Sequence, residues 1–144
     1  VGIYGMSLAL VKSLAELSSW TAVVNNYERI FTDSLKKSKI RFTINGEKRI
    51  PGILNISFDD ILGQDLVLAL DMSGYAISGG SACSSGSVKP SSTLKEIGMS
   101  DDMAMRTVRI SFGKNLSKEN ILGLSESISS IINHQFESTS SHAG

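Results

Sequence analysis

The stretch Ile53–Phe58, ILNISF, decides the fold. Apolar and polar residues alternate along it, so one face of a strand is apolar and the other polar, the pattern of a half-buried strand in a layered α/β domain. Pro51 and Gly52 introduce it, and Lys39–Gly46, KIRFTING, carries a shorter alternation ending in the turn residues Asn45 and Gly46. Beyond it, Gly63 precedes a helix expected over Gln64–Met72, with Leu66, Val67 and Leu70 facing a sheet. Thr107–Gly113, TVRISFG, is a further strand, setting Val108, Ile110 and Phe112 against Thr107, Arg109 and Ser111. A short strand is expected at Tyr75–Ile77. Ser100 before Asp101 and Asp102 reads as an N-cap, and so does Ser117 with Asn120 at N3.

Helical spacing dominates both ends. Ile3, Met6, Leu10, Leu14, Leu17, Trp20, Val24, Tyr27, Ile30, Phe31 and Leu35 form one stripe, predicting a single long helix over residues 1–37. Part of that stripe is expected to face chain beyond this sequence, because the opening residues already read as helix interior. The last helix buries Ile121, Leu124, Ile128, Ile131 and Ile132, and residues 137–144 form a polar, disordered tail. The resulting fold class is α/β: three or four mostly antiparallel strands over residues 38–136, covered by helices and preceded by the long connecting helix.

At 144 residues, with 14 basic and 14 acidic side chains, the chain is the size of one domain and carries no electrostatic footprint for nucleic acid or an anionic membrane. No apolar run approaches the roughly 20 residues of a bilayer span, and no secretory leader is evident, so an intracellular protein is expected. A single cysteine excludes an intramolecular disulfide and makes a structural zinc site a poor fit.

That cysteine, Cys83, lies in AISGGSACSSGSVKP, Ala76–Pro90. Ser, Gly and Ala surround it, which predicts a mobile loop over residues 78–89 with little secondary structure, closed by Pro90 at the first turn of a short helix. An isolated cysteine is often only a small buried hydrophobe. Here it has no apolar company, and a mobile thiol suits delivery. An ordinary thiol titrates near 8.5, so a nucleophilic role needs an activating base, which neither His134 nor His142 supplies locally. Arg109 reads either as a solvated arginine or as a bidentate carboxylate clamp. Asp59, Asp60 and Asp65 flank a turn and a helix start, where capping and solvation account for them. As a phosphate cradle the Ser/Gly loop lacks the lysine and glycine spacing of known cradles.

Taken in order, ILNISF, GQDLVLAL, AISGGSACSSGSVKPSSTLKEIGM and TVRISFGKNLSKENI resemble the C-terminal part of the cysteine desulfurases. These are pyridoxal-phosphate-dependent members of the class-V aminotransferase family that serve iron–sulfur cluster assembly. The resemblance spans Gly2 to Phe136 and is densest from Ile53 to Asn120. It implies the small C-terminal domain of a PLP-dependent transferase fold. Ser81, Ala82, Cys83 and Pro90 match the family's cysteine motif, which makes Cys83 the nucleophile that becomes a persulfide. Arg109, with Ser111 and Gly113, matches the R-x-S-x-G motif, whose arginine binds the substrate carboxylate. The spacing is similar to that of the subclass with a long mobile loop that hands sulfur to a scaffold protein. Gly79 departs from the pattern, where relatives often carry Ser.

The resemblance further implies L-cysteine as substrate, pyridoxal 5'-phosphate as cofactor, an iron–sulfur scaffold or other sulfur acceptor as partner, and a homodimer when complete. It implies a cytoplasmic location, or a mitochondrial one in a eukaryote. The Schiff-base lysine and the other cofactor-binding residues belong to the family's preceding large domain, so none is assigned here and this chain alone is expected to be inactive. A selenocysteine lyase and a stand-alone, non-enzymatic sulfur carrier are the alternatives.

Overall fold

The computed structural model describes residues 2–84, 87–113 and 115–140, with side chains for all of these except 81–88 and 136–140. In chain order the elements are α1 (Gly2–Lys37), β1 (Phe42–Ile44), β2 (Ile53–Phe58), α2 (Gly63–Met72), β3 (Ser78–Gly79), β4 (Ser81–Ser84), β5 (Ser87–Pro90), α3 (Ser92–Glu96), α4 (Asp101–Met105), β6 (Thr107–Ser111) and α5 (Lys118–Ser140). Strands β1-β2-β6-β3 form one sheet, antiparallel throughout, and β4 and β5 pair as a separate hairpin.

The alternation in ILNISF becomes the division of the sheet into two faces. Leu54, Ile56 and Phe58 of β2, with Val108 and Ile110 of β6, are buried against α1, α2 and α5. Phe31 of α1 meets Phe112 edge to face, their centroids 6.1 Å apart, and the Tyr27 hydroxyl donates to the Leu116 carbonyl at 2.5 Å. Only the C-terminal half of α1 is held this way. Val24, Phe31 and Leu35 are wholly buried, whereas Ile3, Met6, Leu10, Leu14 and Leu17 of the same stripe are exposed, Ile3 at 84%.

Caps set the helix ends. The Ser100 hydroxyl accepts from Met103 N–H at 3.3 Å, and Ser117 and Asn120 satisfy each other's backbone N–H groups at 2.9 and 3.3 Å. Within the first turn of α5, Glu119 has its carboxyl held below the ordinary carboxylate range by its own backbone N–H and then by the Ser117 hydroxyl.

Helix α2 begins at Gly63 itself, and the glycine is there because of a close approach. An alanine Cβ at this position would lie 2.6 Å from the Thr107 carbonyl oxygen and 3.2 Å from that of Met105. Both are backbone atoms, so relief requires moving β6. Gly63→Ala is therefore expected to destabilise the fold by about 1–3 kcal/mol, more than helix propensity returns at a first-turn position. Thermal unfolding checks this as a fall of several degrees in Tm, and an unchanged Tm would show that the backbone has room.

Four expectations need correction. The strand expected at Tyr75–Ile77 lies further on, at Ser78–Gly79. The segment expected to be a loop with little secondary structure is a β-hairpin, Cys83 opposite Val88 and Ser81 opposite Pro90. Its side chains are small, so its backbone N–H and C=O groups pair with each other. Pro90 ends β5 instead of opening a helix; it stands opposite Ser81 at a position where the ladder requires no N–H. Ser91 beyond it donates its N–H to Gly80 O at 3.0 Å and caps α3, its hydroxyl accepting from Leu94 N–H at 3.5 Å. Helix α5 continues through residues expected to be tail, ending at Ser140. No Gly or Pro interrupts Phe136–Ser140, and extending a formed helix costs far less than starting one. Residues 141–144, with His142, lie outside the described residues.

Candidate active site

The polar face of the sheet is where the candidate residues stand. Phe58 N–H donates to Arg106 O at 3.2 Å and Phe112 N–H to Gly52 O at 2.8 Å, which makes Asn55/Arg109 and Ser57/Thr107, with Ile53/Ser111, the non-hydrogen-bonded pairs of β2 and β6. Cα atoms of such pairs approach to about 4.5 Å and their side chains are close. The Ser57 and Thr107 hydroxyls, 2.7 Å apart, show this directly. On the other flank of β6, Ser78 stands opposite Arg109 and its Oγ accepts from the Arg109 Nη2 at 3.2 Å. Asn45 extends β1 by donating its N–H to Asn55 O at 2.9 Å. Asn45, Asn55, Arg109 and Ser78 thus form one row across this face.

One end of the face is closed and the other open. Ser57 and Thr107 are buried, with Thr107 Oγ1 donating to the Met103 carbonyl of α4 at 2.6 Å. Arg109 and Ser111 are exposed and Asn55 is half-buried. The guanidinium therefore presents its fork to whatever lies over the open half, suited to a carboxylate.

The hairpin carrying Cys83 is tied to this same strand. Gly80 N–H donates to Thr107 O at 2.8 Å, and Ser91 N–H donates to Gly80 O at 3.0 Å, so the two ends of residues 81–90 meet at one neck. A side chain on residue 80 would put Cβ 2.9 Å from both Thr107 O and Leu94 Cδ1, which accounts for the second glycine of the Gly-Gly pair. The neck also bounds the thiol's travel. Cys83 is three residues from Gly80, so even a fully opened arm places its Cα within about 11 Å of the neck. The side chains of Ser81, Ala82 and Cys83 lie outside the described part of the structure.

Other candidates fall elsewhere. Asp60 pairs with Arg41, whose pKa is raised first by that hydrogen bond and then by the charge of Asp60. Asp65 is exposed in the first turn of α2, and His134 is exposed on α5, in the helical layer behind the sheet. Among the described residues no group of three or more His, Cys, Asp or Glu is placed to hold a metal ion, and no helix is long and apolar enough to cross a membrane. The sequence reading missed Asn55, Ser78 and Gly80. Alternation in ILNISF already set Asn55 on the polar face; what it lacked was the register that puts Asn55 beside Arg109, 54 residues away.

Residues 1–124 match the family model described as aminotransferase class-V. The chain is 32% identical over 134 residues to the putative cysteine desulfurase IscS 1 of Bacillus subtilis, covering 91% of this chain and 35% of that protein. It is 43% identical over 93 residues to the cysteine desulfurase IscS of Colwellia psychrerythraea, covering 63% and 22%. Among solved structures it superposes on a NifS-like protein with TM-score 0.74 at 22% identity, over 92% of this chain and 33% of that one. The NifS-like protein from Rickettsia africae gives TM-score 0.74 at 20% identity, over 90% and 33%. The chain spans about a third or less of the length of the curated relatives it matches. With the family model running from the long helix through β6 and into α5, the chain belongs to the class-V aminotransferase family.

Proposed function

We propose that the complete protein to which this chain contributes is a cysteine desulfurase. Arg109 binds the carboxylate of L-cysteine, and Cys83 takes the substrate sulfur. In the balanced transfer a sulfur–sulfur bond forms at Cys83 as the substrate C–S bond breaks; the thiol becomes a persulfide and L-cysteine leaves as L-alanine. The observation that carries this reading is the neck: the Cys83 hairpin is anchored through Gly80 to Thr107, two residues along β6 from Arg109. Thiol and clamp are thereby tethered to one strand, about 7 Å apart at their anchor points.

Pyridoxal phosphate, which the family implies, does not fit the described residues. Their lysines, at positions 12, 36, 37, 39, 48, 89, 95 and 118, are all exposed. Lys37 and Lys118 share a cleft between α1 and α5 with Arg29, Asp33 and Ser34, but no aromatic side chain lines it to stack on a ring, and it lies in the helical layer, away from Arg109. The cofactor is accordingly assigned to the remainder of the complete protein. The persulfide's small, tethered carrier suits onward transfer to an acceptor protein, such as an iron–sulfur scaffold.

The test is product analysis on the complete protein supplied with pyridoxal phosphate. L-Alanine and sulfane sulfur are expected from L-cysteine in equal amounts, and none from this chain alone. Turnover confined to L-selenocysteine would replace the reading with a selenocysteine lyase, and absence of turnover with either substrate would leave a sulfur carrier.

A further inference from the structure

The polar face holds a hydrogen-bond chain whose direction can be worked out from one end. Thr107 Oγ1 lies 2.6 Å from the Met103 carbonyl, which can only accept, so the Thr107 proton is spent there. The Met99 thioether, 3.5 Å away, is a far weaker acceptor. The 2.7 Å contact between Ser57 and Thr107 must then use the Ser57 proton. With its proton committed, Ser57 Oγ accepts from Asn45 Nδ2 at 2.8 Å, and the second Asn45 N–H goes to Asn55 Oδ1 at 2.7 Å. Turning the Asn45 amide round would leave the Ser57–Thr107 contact without a hydrogen. The chain therefore locks Asn55 with its carbonyl toward Asn45 and its Nδ2 turned away from β1. Among the described residues that Nδ2 has no acceptor.

Arg109 is the residue directly across from Asn55 on the other side, and it too is only a donor. Its bond to Ser78 draws the guanidinium toward β3, the flank of β6 away from Asn55. Two sets of N–H donors thus flank β6 with no acceptor between them, and they cannot bond each other. A carboxylate offers two oxygens and about four acceptor sites, more than one guanidinium fork uses.

We propose that Asn55 is a second ligand of the substrate carboxylate, its Nδ2 donating to the same group that Arg109 clamps; this rests on the desulfurase reading above. Asn45, Ser57 and Thr107 act through it as positioning residues. The assignment extends the site from one strand to two and makes recognition specific for an α-amino acid's carboxylate over a plain thiol amine.

Asn55→Asp separates this role from a structural one. The aspartate keeps the shape and still accepts from Asn45 Nδ2, but it can also pair with Arg109, its cross-strand neighbour. The change is therefore measured in the Arg109→Ala background as well, where only its repulsion of the substrate carboxylate remains; a loss that vanishes in that background overturns the assignment. In the complete protein, binding of L-alanine by calorimetry and KM for L-cysteine are expected to weaken about a hundredfold in Asn55→Asp and about tenfold in Asn55→Ala. Inhibition by cysteamine, which has no carboxylate, is expected to stay as in wild type. Wild-type turnover of L-cysteine with unaltered binding in Asn55→Asp overturns this assignment alone, as does an equal loss toward cysteamine. A wild-type protein inert toward L-cysteine overturns the desulfurase reading and this assignment with it.

Discussion

Cys83→Ala in the complete protein is expected to reduce L-cysteine desulfuration by at least about a thousandfold, the scale on which loss of a covalent nucleophile acts. The reason lies in the sequence as much as in the fold. Cys83 is the only thiol in the chain, so no neighbour on this domain can substitute for it. Position 83 sits in a two-stranded hairpin outside the main sheet, so the substitution leaves the core formed by β2, β6 and the three helices untouched. Circular dichroism and Tm should match wild type while turnover is lost. Cys83→Ser should fail equally, because a hydroxyl cannot hold sulfane sulfur. Full turnover in either variant would remove Cys83 from the reaction.

Arg109→Ala is the second large effect. A charge-assisted hydrogen bond is worth about 1.5–3 kcal/mol, and a guanidinium fork makes two, so KM for L-cysteine should rise about a hundredfold or more. Arg109 is exposed on the open face, while its neighbours Val108 and Ile110 point into the core and keep β6 in place. The loss should therefore appear in substrate binding and not in stability. Arg109→Lys preserves the charge but not the fork and should recover only part of the affinity. An unchanged KM in Arg109→Ala would return the residue to an ordinary surface arginine.

How much of this was legible in the sequence depended on whether the deciding physics was local. Periodicity along ILNISF and TVRISFG is local, and both strands fall where alternation puts them. The caps at Ser100 and Ser117 are likewise set by residues within one turn. At Pro90 two local rules compete: proline suits a helix start, but the Ser91 hydroxyl caps α3 and leaves Pro90 outside the helix, in β5. Strand pairing in the Ser/Gly segment left no trace in hydrophobic pattern, since its ladder is made of backbone groups alone. The row Asn45, Asn55, Arg109 and Ser78 is non-local. It exists only once β1, β2, β6 and β3 are in register, and nothing in any one stretch encodes it.

The same distinction separates Cys83 from the neck that controls it. The thiol is plain in the sequence; its tether is not, because Gly80 answers to Thr107, Leu94 and Ala104, which come from three other elements. A loop of ten or more residues would let the thiol range widely. A three-residue arm from Gly80 keeps it close to the strand that carries Arg109.

The most direct measurement is a single turnover of the complete protein with L-cysteine, quenched by an alkylating agent and mapped by peptide mass spectrometry. One added sulfur on the peptide carrying Cys83, formed in step with L-alanine, is the predicted result. L-Alanine formed with Cys83 unmodified throughout would contradict the account.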